Sequence, residues 1–293
     1  MSGLGGIRSV LNGLVWHEIV FCFCINLFFR LHLCRLVGST FFVHVGMKDA
    51  NMNLASIYQV STLNALMQGY TRKAVTVAEL LRHGDTGLGT FENVDGEMIV
   101  VDGCCFRATD NGGVTEMAPD VGVPFASVAF LDGDVREFDL QQVEGVDALR
   151  NLLDLKIEED FGLNSMHVVR IDGSFNEVRA RSESGMRSQH VELKEILKDR
   201  QKDFAFENVN GSLICLYHPD FMQGINAAGW HFHFVSEDRM SGGHVFDVSL
   251  AKGRVRLKKL SQIRIQLPTE AAFDTYSLTK ATQGDIKKVE QGT

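Results

Sequence analysis

The chain reads Gly-Trp-His-Phe-His-Phe-Val over residues 229–235 and Gly-Gly-His-Val-Phe-Asp over residues 242–247. The first stretch is an alternating aromatic and β-branched pattern, which is typical of a β-strand. The polar residues between the two stretches end in glycine, which predicts a hairpin loop. Successive strand residues point to opposite faces of a sheet, so His231 and His233 share one face, and His244 can join them from the partner strand. The pattern predicts a β-hairpin that carries three clustered histidines.

These histidines have the chemistry of a metal site. Three neutral imidazoles with an open fourth position form the ligand set of a catalytic zinc site, or of a site for a related divalent ion. We therefore predict that His231, His233 and His244 are metal ligands. The alternative is three unrelated histidines on a half-buried sheet face. His167 and His218 are interpreted as structural or solvated residues.

Length and charge limit the class of protein. The chain has 293 residues, enough for one large domain or two smaller ones. Its net charge is −8 and it has no Lys/Arg-rich run, so nucleic acid is not an expected partner. The cysteines lack zinc-knuckle spacing and are interpreted as packing residues.

Residues 1–46 differ from the rest of the chain. Their apolar run at 19–29 is shorter than the ~20 residues that span a bilayer. Basic residues follow this run, whereas a signal peptide has them before it. We interpret residues 1–46 as an extension of unknown role, so that a chain starting at Met47 is expected to fold and function. The expected location is the cytoplasm, with secretion or a membrane-associated leader as the alternative.

From residue 47 onward the periodicity alternates between helix and strand. Helical spacing is predicted at residues 57–67, 146–157 and 188–202, with a capping box at Thr76–Glu79 opening a further short helix. Strand patterns occupy residues 87–101, 104–108, 114–117, 125–131, 164–171, 177–181, 206–216 and 255–267. The fold class is therefore predicted as α+β, with mixed or antiparallel sheets, a few flanking helices and the metal site on a β-hairpin.

One internal similarity bears on the domain organisation. Residues 91–99, Phe-Glu-Asn-Val-Asp-Gly-Glu-Met-Ile, recur as Phe-Glu-Asn-Val-Asn-Gly-Ser-Leu-Ile at residues 206–214. This internal similarity predicts two related β-rich units. The first is an α+β domain at residues 47–180, and the second is a metal-binding domain with a closing tail at residues 181–293. The alternative is chance similarity around two hairpin turns. Only the first copy carries a carboxylate after its turn, at Glu97.

Several blocks of the sequence together resemble a known family. They are Gly87–Phe91, Asp95–Glu97, Val178–Arg181, Gly229–Phe234 and Ser241–Asp247. In order and spacing these blocks resemble the α-acetolactate decarboxylase family over about residues 55–290. His-x-His followed by Ser-Gly-Gly-His-Val-Phe-Asp is the most specific part.

The resemblance implies a reaction and a site. The reaction is the decarboxylation of 2-acetolactate to acetoin, on the route to butanediol. The implied cofactor is a zinc ion, or another divalent metal, held by the three clustered histidines. The remaining implied site residues are Glu97, Arg181 and Glu290 as catalytic groups, with Thr90 and Arg181 as substrate contacts.

These residue types suit the reaction. A metal chelated by the substrate hydroxyl and ketone acts as a Lewis acid and stabilises the enediolate left when CO2 departs. Arg181 offers a bidentate fork for the carboxylate. A glutamic acid, either Glu97 or Glu290, then protonates the enediolate and fixes the chirality of acetoin. On their own, Glu97 is equally explained as a solvated hairpin carboxylate and Arg181 as a surface charge.

Two other functions remain open. A cupin-type metal oxygenase or isomerase is the first, because His231, His233 and Glu237 approach the first cupin metal motif, although no histidine follows His244. The second is a metabolite-binding module with a structural metal, which normally has a fourth Cys or His ligand. We expect a homodimer with 2-acetolactate as its small-molecule partner and no membrane partner.

Overall fold

The computed structural model describes most of the chain. Its described residues are 55–187, 191–278, Ile286 and Val289. They belong to one compact unit, which begins at residue 55. The extension at residues 1–46 and the candidate Glu290 lie outside the described residues, and the expectations for them stay predictions. No helix within the described ranges is long and apolar enough to cross a membrane.

The described residues are rich in β-strands. The strands are β1 (Ser56–Val60), β2 (Val75–Thr76), β3 (Thr86–Thr90), β4 (Glu97–Val101), β5 (Cys104–Ala108), β6 (Val114–Glu116), β7 (Gly122–Val123), β8 (Phe125–Ala129), β9 (Arg136–Glu144), β10 (Met166–Glu183), β11 (Gln201–His218), β12 (Gly229–Ser236), β13 (Gly242–Leu260) and β14 (Gln262–Gln266). The helices are α1 (Leu63–Met67), α2 (Val77–Leu80), α3 (Val146–Asp160), α4 (Leu193–Arg200) and α5 (Ala271–Asp274), with a 3-10 turn at Asp220–Met222. The predicted fold class, β-rich with mixed and antiparallel sheets and few helices, is confirmed.

The first large sheet contains the predicted meander. Its seven strands run in the order β14-β1-β8-β3-β4-β5-β6, and it is mixed because β1 and β14 are parallel. Between β4 and β5, Asp102 and Gly103 have φ angles of 54° and 75°. Positive φ at both central residues is what a type I′ hairpin turn requires, which explains the Asp-Gly sequence there.

The second large sheet is built from the longest strands. Its order is β10-β11-β12-β13-β9, and β10 also pairs with β13, so four strands close into a ring. β10 contains 18 residues and β13 contains 19. The β12–β13 hairpin that carries the histidines is part of this ring.

The core lies on both faces of the second sheet. On one face, Leu216 packs with Leu88 of the first sheet, so the two large sheets face each other. On the other face, Leu149 and Leu153 of α3 pack against Trp230. The histidines therefore sit in a layer bounded by two sheets, which shields them from water.

The prediction of a helix over residues 57–67 is wrong for its first half. Residues 56–60 form β1, and the helix begins only at Leu63. β1 lies inside the first sheet between β14 and β8, and its residues 57–60 are buried, so it lacks the alternation of a half-buried strand. Thr62 caps the helix by accepting a hydrogen bond from the amide of Ala65 at 3.2 Å.

The helix predicted over residues 188–202 is shorter than expected. It spans Leu193–Arg200, and Gln201 already belongs to β11. Residues 188–190 lie outside the described part of the chain. By contrast, α3 begins at the predicted Val146, and α2 has the predicted capping box.

The two similar segments, residues 91–99 and 206–214, adopt different local structures. Residues 91–96 connect β3 to β4, with positive φ at Asn93, Val94 and Gly96. Residues 206–214 lie entirely within β11, where they pair with β10. Asn93 and its counterpart Asn208 share a positive φ, but the secondary structure of the two segments differs. The boundary predicted between residues 180 and 181 falls inside β10, so the two predicted domains share a strand.

Candidate metal centre

The β12–β13 hairpin is held by its turn and by two glycines. The hydroxyl of Ser236 donates to Asp238 at 2.6 Å and accepts from the amide of Ser241 at 2.9 Å. A Cβ at Gly242 would meet the carbonyl of Phe234 at 2.5 Å. A Cβ at Gly243 would likewise meet the carbonyl of Arg181 at 2.9 Å. Glycine is needed here because the neighbouring strands approach closely.

The three predicted ligands do come together. His233 pairs directly with His244 across the hairpin, and His231 lies two residues from His233 on the same face. Nε2 of His231 lies 3.1 Å from Nε2 of His233 and 3.2 Å from Nδ1 of His244. All three side chains are buried, with exposures of 6%, 0% and 3% in chain order.

The environment keeps the imidazoles of His231 and His233 neutral. Burial lowers the pKa of His233 to about 4 and holds the pKa of His231 well below its usual value. Arg181 adds to both effects because its positive charge opposes a second one nearby. Nδ1 of His233 lies 2.7 Å from the carbonyl oxygen of Met98, so this nitrogen donates and Nε2 keeps its lone pair. Neutral imidazole is the form that binds metals.

The cluster fits a divalent metal. Two nitrogens at a zinc–nitrogen distance of about 2.0–2.1 Å, in tetrahedral geometry, lie about 3.3 Å apart. Two of the three nitrogen separations, 3.1 and 3.2 Å, match that spacing, and all three ligand atoms lie within 4.8 Å of one another. The hydrogen bond from His233 to a backbone carbonyl is the usual orienting contact of a metal-bound histidine. Among the described residues the cluster contains three ligands and no fourth Cys or His, which leaves a position for substrate.

Glu97 comes to the cluster from the first sheet. One carboxylate oxygen lies 3.4 Å from Nε2 of His233, and the other lies 3.7 Å from Nδ1 of His244. Its position is set by Ser182 of β10, whose hydroxyl accepts from the amide of Glu97 at 3.2 Å and donates to the carbonyl of Ala108 at 2.8 Å. Only the packing of the two sheets brings this carboxylate to the histidines.

Arg181 lies beside the cluster on β10. It pairs across the sheet with His244, and Nη2 lies 3.3 Å from Nε2 of that histidine. Its side chain is buried rather than solvated, at 7% exposure. The guanidinium also donates to the carbonyl of Val289 in the tail. Ile286 of the tail packs against Leu63 and its apolar neighbours.

A single cavity joins these groups. Its polar wall contains Thr90, Glu97, Arg181, His231 and His244. Apolar side chains, including Leu66 and Phe125, form much of the remaining lining. The hydroxyl of Thr90 donates to the carbonyl of Gly96 at 2.9 Å, so it also holds the turn that precedes Glu97.

Two features of the site were missed at the sequence level. Glu183 is buried at 2% exposure and lines the same cavity, as does Gln201 in the adjacent strand. Glu183 is two residues beyond Arg181, so a strand predicted to continue past residue 181 would have placed both on one face. Glu237, which a cupin motif would use, is not in the histidine cluster and lines a separate groove with Arg170 and Arg239.

Comparison with known proteins identifies the family of this chain. A family model described as alpha-acetolactate decarboxylase matches residues 57–280. The chain belongs to the alpha-acetolactate decarboxylase family.

Individual members of the alpha-acetolactate decarboxylase family match over most of their length. The chain is 34% identical over 244 residues to the enzyme of Methanosarcina mazei, covering 83% of each chain. It is 30% identical over 247 residues to that of Streptococcus thermophilus, covering 80% of this chain and 98% of that one. The crystal structure of alpha-acetolactate decarboxylase from Bacillus subtilis strain 168 aligns with a TM-score of 0.76 at 29% identity, covering 81% of this chain and all of that one.

Proposed function

We propose that this protein decarboxylates 2-acetolactate to acetoin, with a divalent metal, zinc by preference, held by His231, His233 and His244. The observation that carries the proposal is the buried three-histidine cluster with Glu97 and Arg181 on one cavity, in a chain of this family. When bound, the metal supplies Lewis-acid stabilisation of the negative charge that develops as CO2 leaves. Acetoin formation links the protein to the butanediol route.

Arg181 is proposed to orient the substrate carboxylate. Its burial strengthens the interaction with an anion, because little water competes for the guanidinium. A guanidinium has five N–H donors, so it can hold a carboxylate while it keeps a contact to the tail carbonyl of Val289. The substrate carboxylate would then be held at one end of the cavity, with the bond to be broken directed toward the histidines.

Glu97 is proposed to handle the proton. Its carboxylate is 15% exposed and lies within 3.4–3.7 Å of two imidazole nitrogens, so it borders the place where the new C–H bond must form. Thr90 is proposed as a substrate contact, because it pairs with Glu97 across β3 and β4 and lines the same cavity. A donor on one side of a planar intermediate delivers its proton to one face, which would fix the chirality of the product.

Glu290 is retained as a second proposed acid. It lies outside the described residues, but it follows Val289, whose carbonyl contacts Arg181. That contact supports a tail that closes on the cavity. Separate Glu97→Gln and Glu290→Gln variants distinguish which of the two residues delivers the proton.

The proposed function is tested by turnover. Purified full-length protein should form acetoin from 2-acetolactate, lose this activity after chelation, and regain it with Zn²⁺. Metal analysis of the untreated protein identifies the ion. Protein with a full complement of metal that forms no acetoin would contradict the proposal. Light scattering of the same sample tests the predicted homodimer.

A further inference from the structure

A fourth buried histidine lies close to the centre. His218 is the last residue of β11, and its side chain is 0% exposed. Neither of its ring nitrogens hydrogen-bonds to any group in the described part of the chain. A buried polar group without a partner costs about 1–3 kcal/mol, so such a group in a native protein requires an explanation.

Strand pairing places His218 beside a proposed ligand. His218 pairs with Gly229 and Leu216 pairs with His231, so His218 and His231 are diagonal neighbours. Alternation along each strand puts both on the face that packs against the first sheet, as shown by the contact of Leu216 with that sheet. Diagonal neighbours in an antiparallel pair lie about 7–8 Å apart, within reach of long side chains. The two rings are close enough that His218 is among the groups that lower the pKa of His231.

Both rings are neutral, so each can hydrogen-bond to a shared water. Burial lowers the pKa of His218 to about 3, so the ring is neutral and offers one donor and one acceptor. His231 directs Nε2 toward His233 and His244, which turns its Nδ1 side away from the cluster. A metal-bound histidine normally hydrogen-bonds through its second nitrogen to a carboxylate, a carbonyl or a water, as His233 does to Met98.

We propose that His218 holds a buried water that hydrogen-bonds to His231 and so positions this imidazole in the metal centre. Buried waters in proteins typically bind polar groups that lack a protein partner, and His218 is such a group. His218 is thus a positioning residue that acts through His231. The inference rests on the metal centre of the proposed function.

The test measures metal affinity instead of turnover. His218→Phe keeps the ring shape and removes both nitrogens, and we expect it to bind Zn²⁺ about 10–100-fold more weakly in a chelator competition. The visible spectrum of the Co²⁺-loaded protein should also change, because the ligand field depends on the orientation of His231. His218→Gln, which can still bind a water, should restore affinity and spectrum toward wild type. His218→Leu replaces the Phe variant if that protein does not fold.

The chain provides a matched control. His167 is also 0% exposed, and its ring nitrogens have no hydrogen-bond partner among the described residues. It lies on the opposite face of the sheet, near Phe161 and Tyr217. His167→Phe should leave Zn²⁺ affinity unchanged. Equal affinity in His218→Phe and wild type would overturn the inference while the metal centre stands. Weak binding in both the Phe and Gln variants would overturn it too, because a side chain that can still bind the water would then fail to restore metal affinity. A wild-type protein that binds no Zn²⁺ would overturn the metal centre and this inference together.

Discussion

The β12–β13 hairpin and the β3–β4 hairpin meet at the candidate metal centre, but they contribute in different ways. The first carries all three histidines within residues 231–244, and strand alternation alone aligns two of them. The second contributes Glu97, which reaches the histidines only because the two sheets pack together. The metal ligands are thus locally encoded, whereas the candidate acid depends on tertiary packing.

A second contrast concerns the turn of the β3–β4 hairpin and the segment of β11 that resembles it in sequence. Residues 91–96 turn, whereas residues 206–211 continue as a strand. The difference lies in the partner: β11 pairs with β10 from residue 201 to residue 217, so a turn at 208–211 would break a long ladder of hydrogen bonds. The same local sequence therefore has two outcomes, decided by the neighbouring strand.

Removing one ligand should have the largest effect. In His233→Ala we expect loss of the metal and a fall of acetoin formation to the uncatalysed rate, because two imidazoles leave the ion poorly held. Metal content and circular dichroism measure the loss and the retention of the fold. His83→Ala, outside the cluster, is the control and should keep its metal. Wild-type metal content in His233→Ala would refute the ligand assignment.

Removing the candidate acid should slow the reaction without removing the metal. In Glu97→Gln we expect the rate of acetoin formation to fall about 10²–10⁴-fold, the usual contribution of a general acid. The enantiomeric purity of the acetoin should also fall, because protonation would no longer come from one side. Glu290→Gln is the matched comparison, since loss of a tail contact alone should weaken substrate binding and leave chirality intact. If both variants keep full rate and a single enantiomer, neither glutamate is the acid.

His167, on the face of the histidine-bearing sheet that packs against α3, should contribute to the loss of stability in acid. Burial lowers the pKa of His167 to about 4, so between pH 6.5 and pH 4 the unfolded chain takes up a proton that the folded chain does not. Stability therefore falls as pH falls through this range, by up to about 3 kcal/mol for this group. His167→Phe removes this loss. Urea unfolding should show the gain of the variant over wild type increasing from pH 8 to pH 4, and a constant difference would contradict the pKa.

Substitutions at the turn before Glu97 should have the smallest effect. They test both the stability of the protein and the activity of the site. Gly96 has a φ of 90°, and a Cβ there would lie 2.3 Å from the carbonyl of Ala108. Gly103 has a φ of 75° but nothing within 4 Å of such a Cβ. Gly103→Ala should cost about 1–2 kcal/mol for the positive φ alone, and Gly96→Ala should cost more.

The substitutions Gly96→Ala and Gly103→Ala also test what sets the position of Glu97. We expect Gly96→Ala to reduce acetoin formation, because the residue next to Glu97 must move, and Gly103→Ala to leave it near wild type. Unfolding free energies from urea titration and initial rates provide the two measurements. Equal effects of the two substitutions would mean that the close approach of β4 to β5 does not set the position of the carboxylate.

Much of the fold followed from local pattern. The capping box of α2 and the first residue of α3 agree with the sequence prediction, because each depends on neighbouring residues. The turn at Asp102 and Gly103 likewise has the Asp-Gly sequence that its backbone requires. β1 was mistaken for a helix because strands on both sides bury it. Glu183 was missed because the strand pattern weakens beyond Arg181, where the β10–β11 pairing continues the strand to residue 183.

The sequence by itself determined the three-histidine cluster and the family, because His-x-His on a strand and a third histidine beyond a short loop need only strand alternation and one turn. Only the tertiary structure decided what surrounds that cluster. The carboxylate of Glu97, the buried guanidinium of Arg181 and the ring of His218 come from strands that are far apart in the chain. Their distances to the histidines depend on sheet packing and strand pairing, which involve long-range contacts that no local pattern encodes.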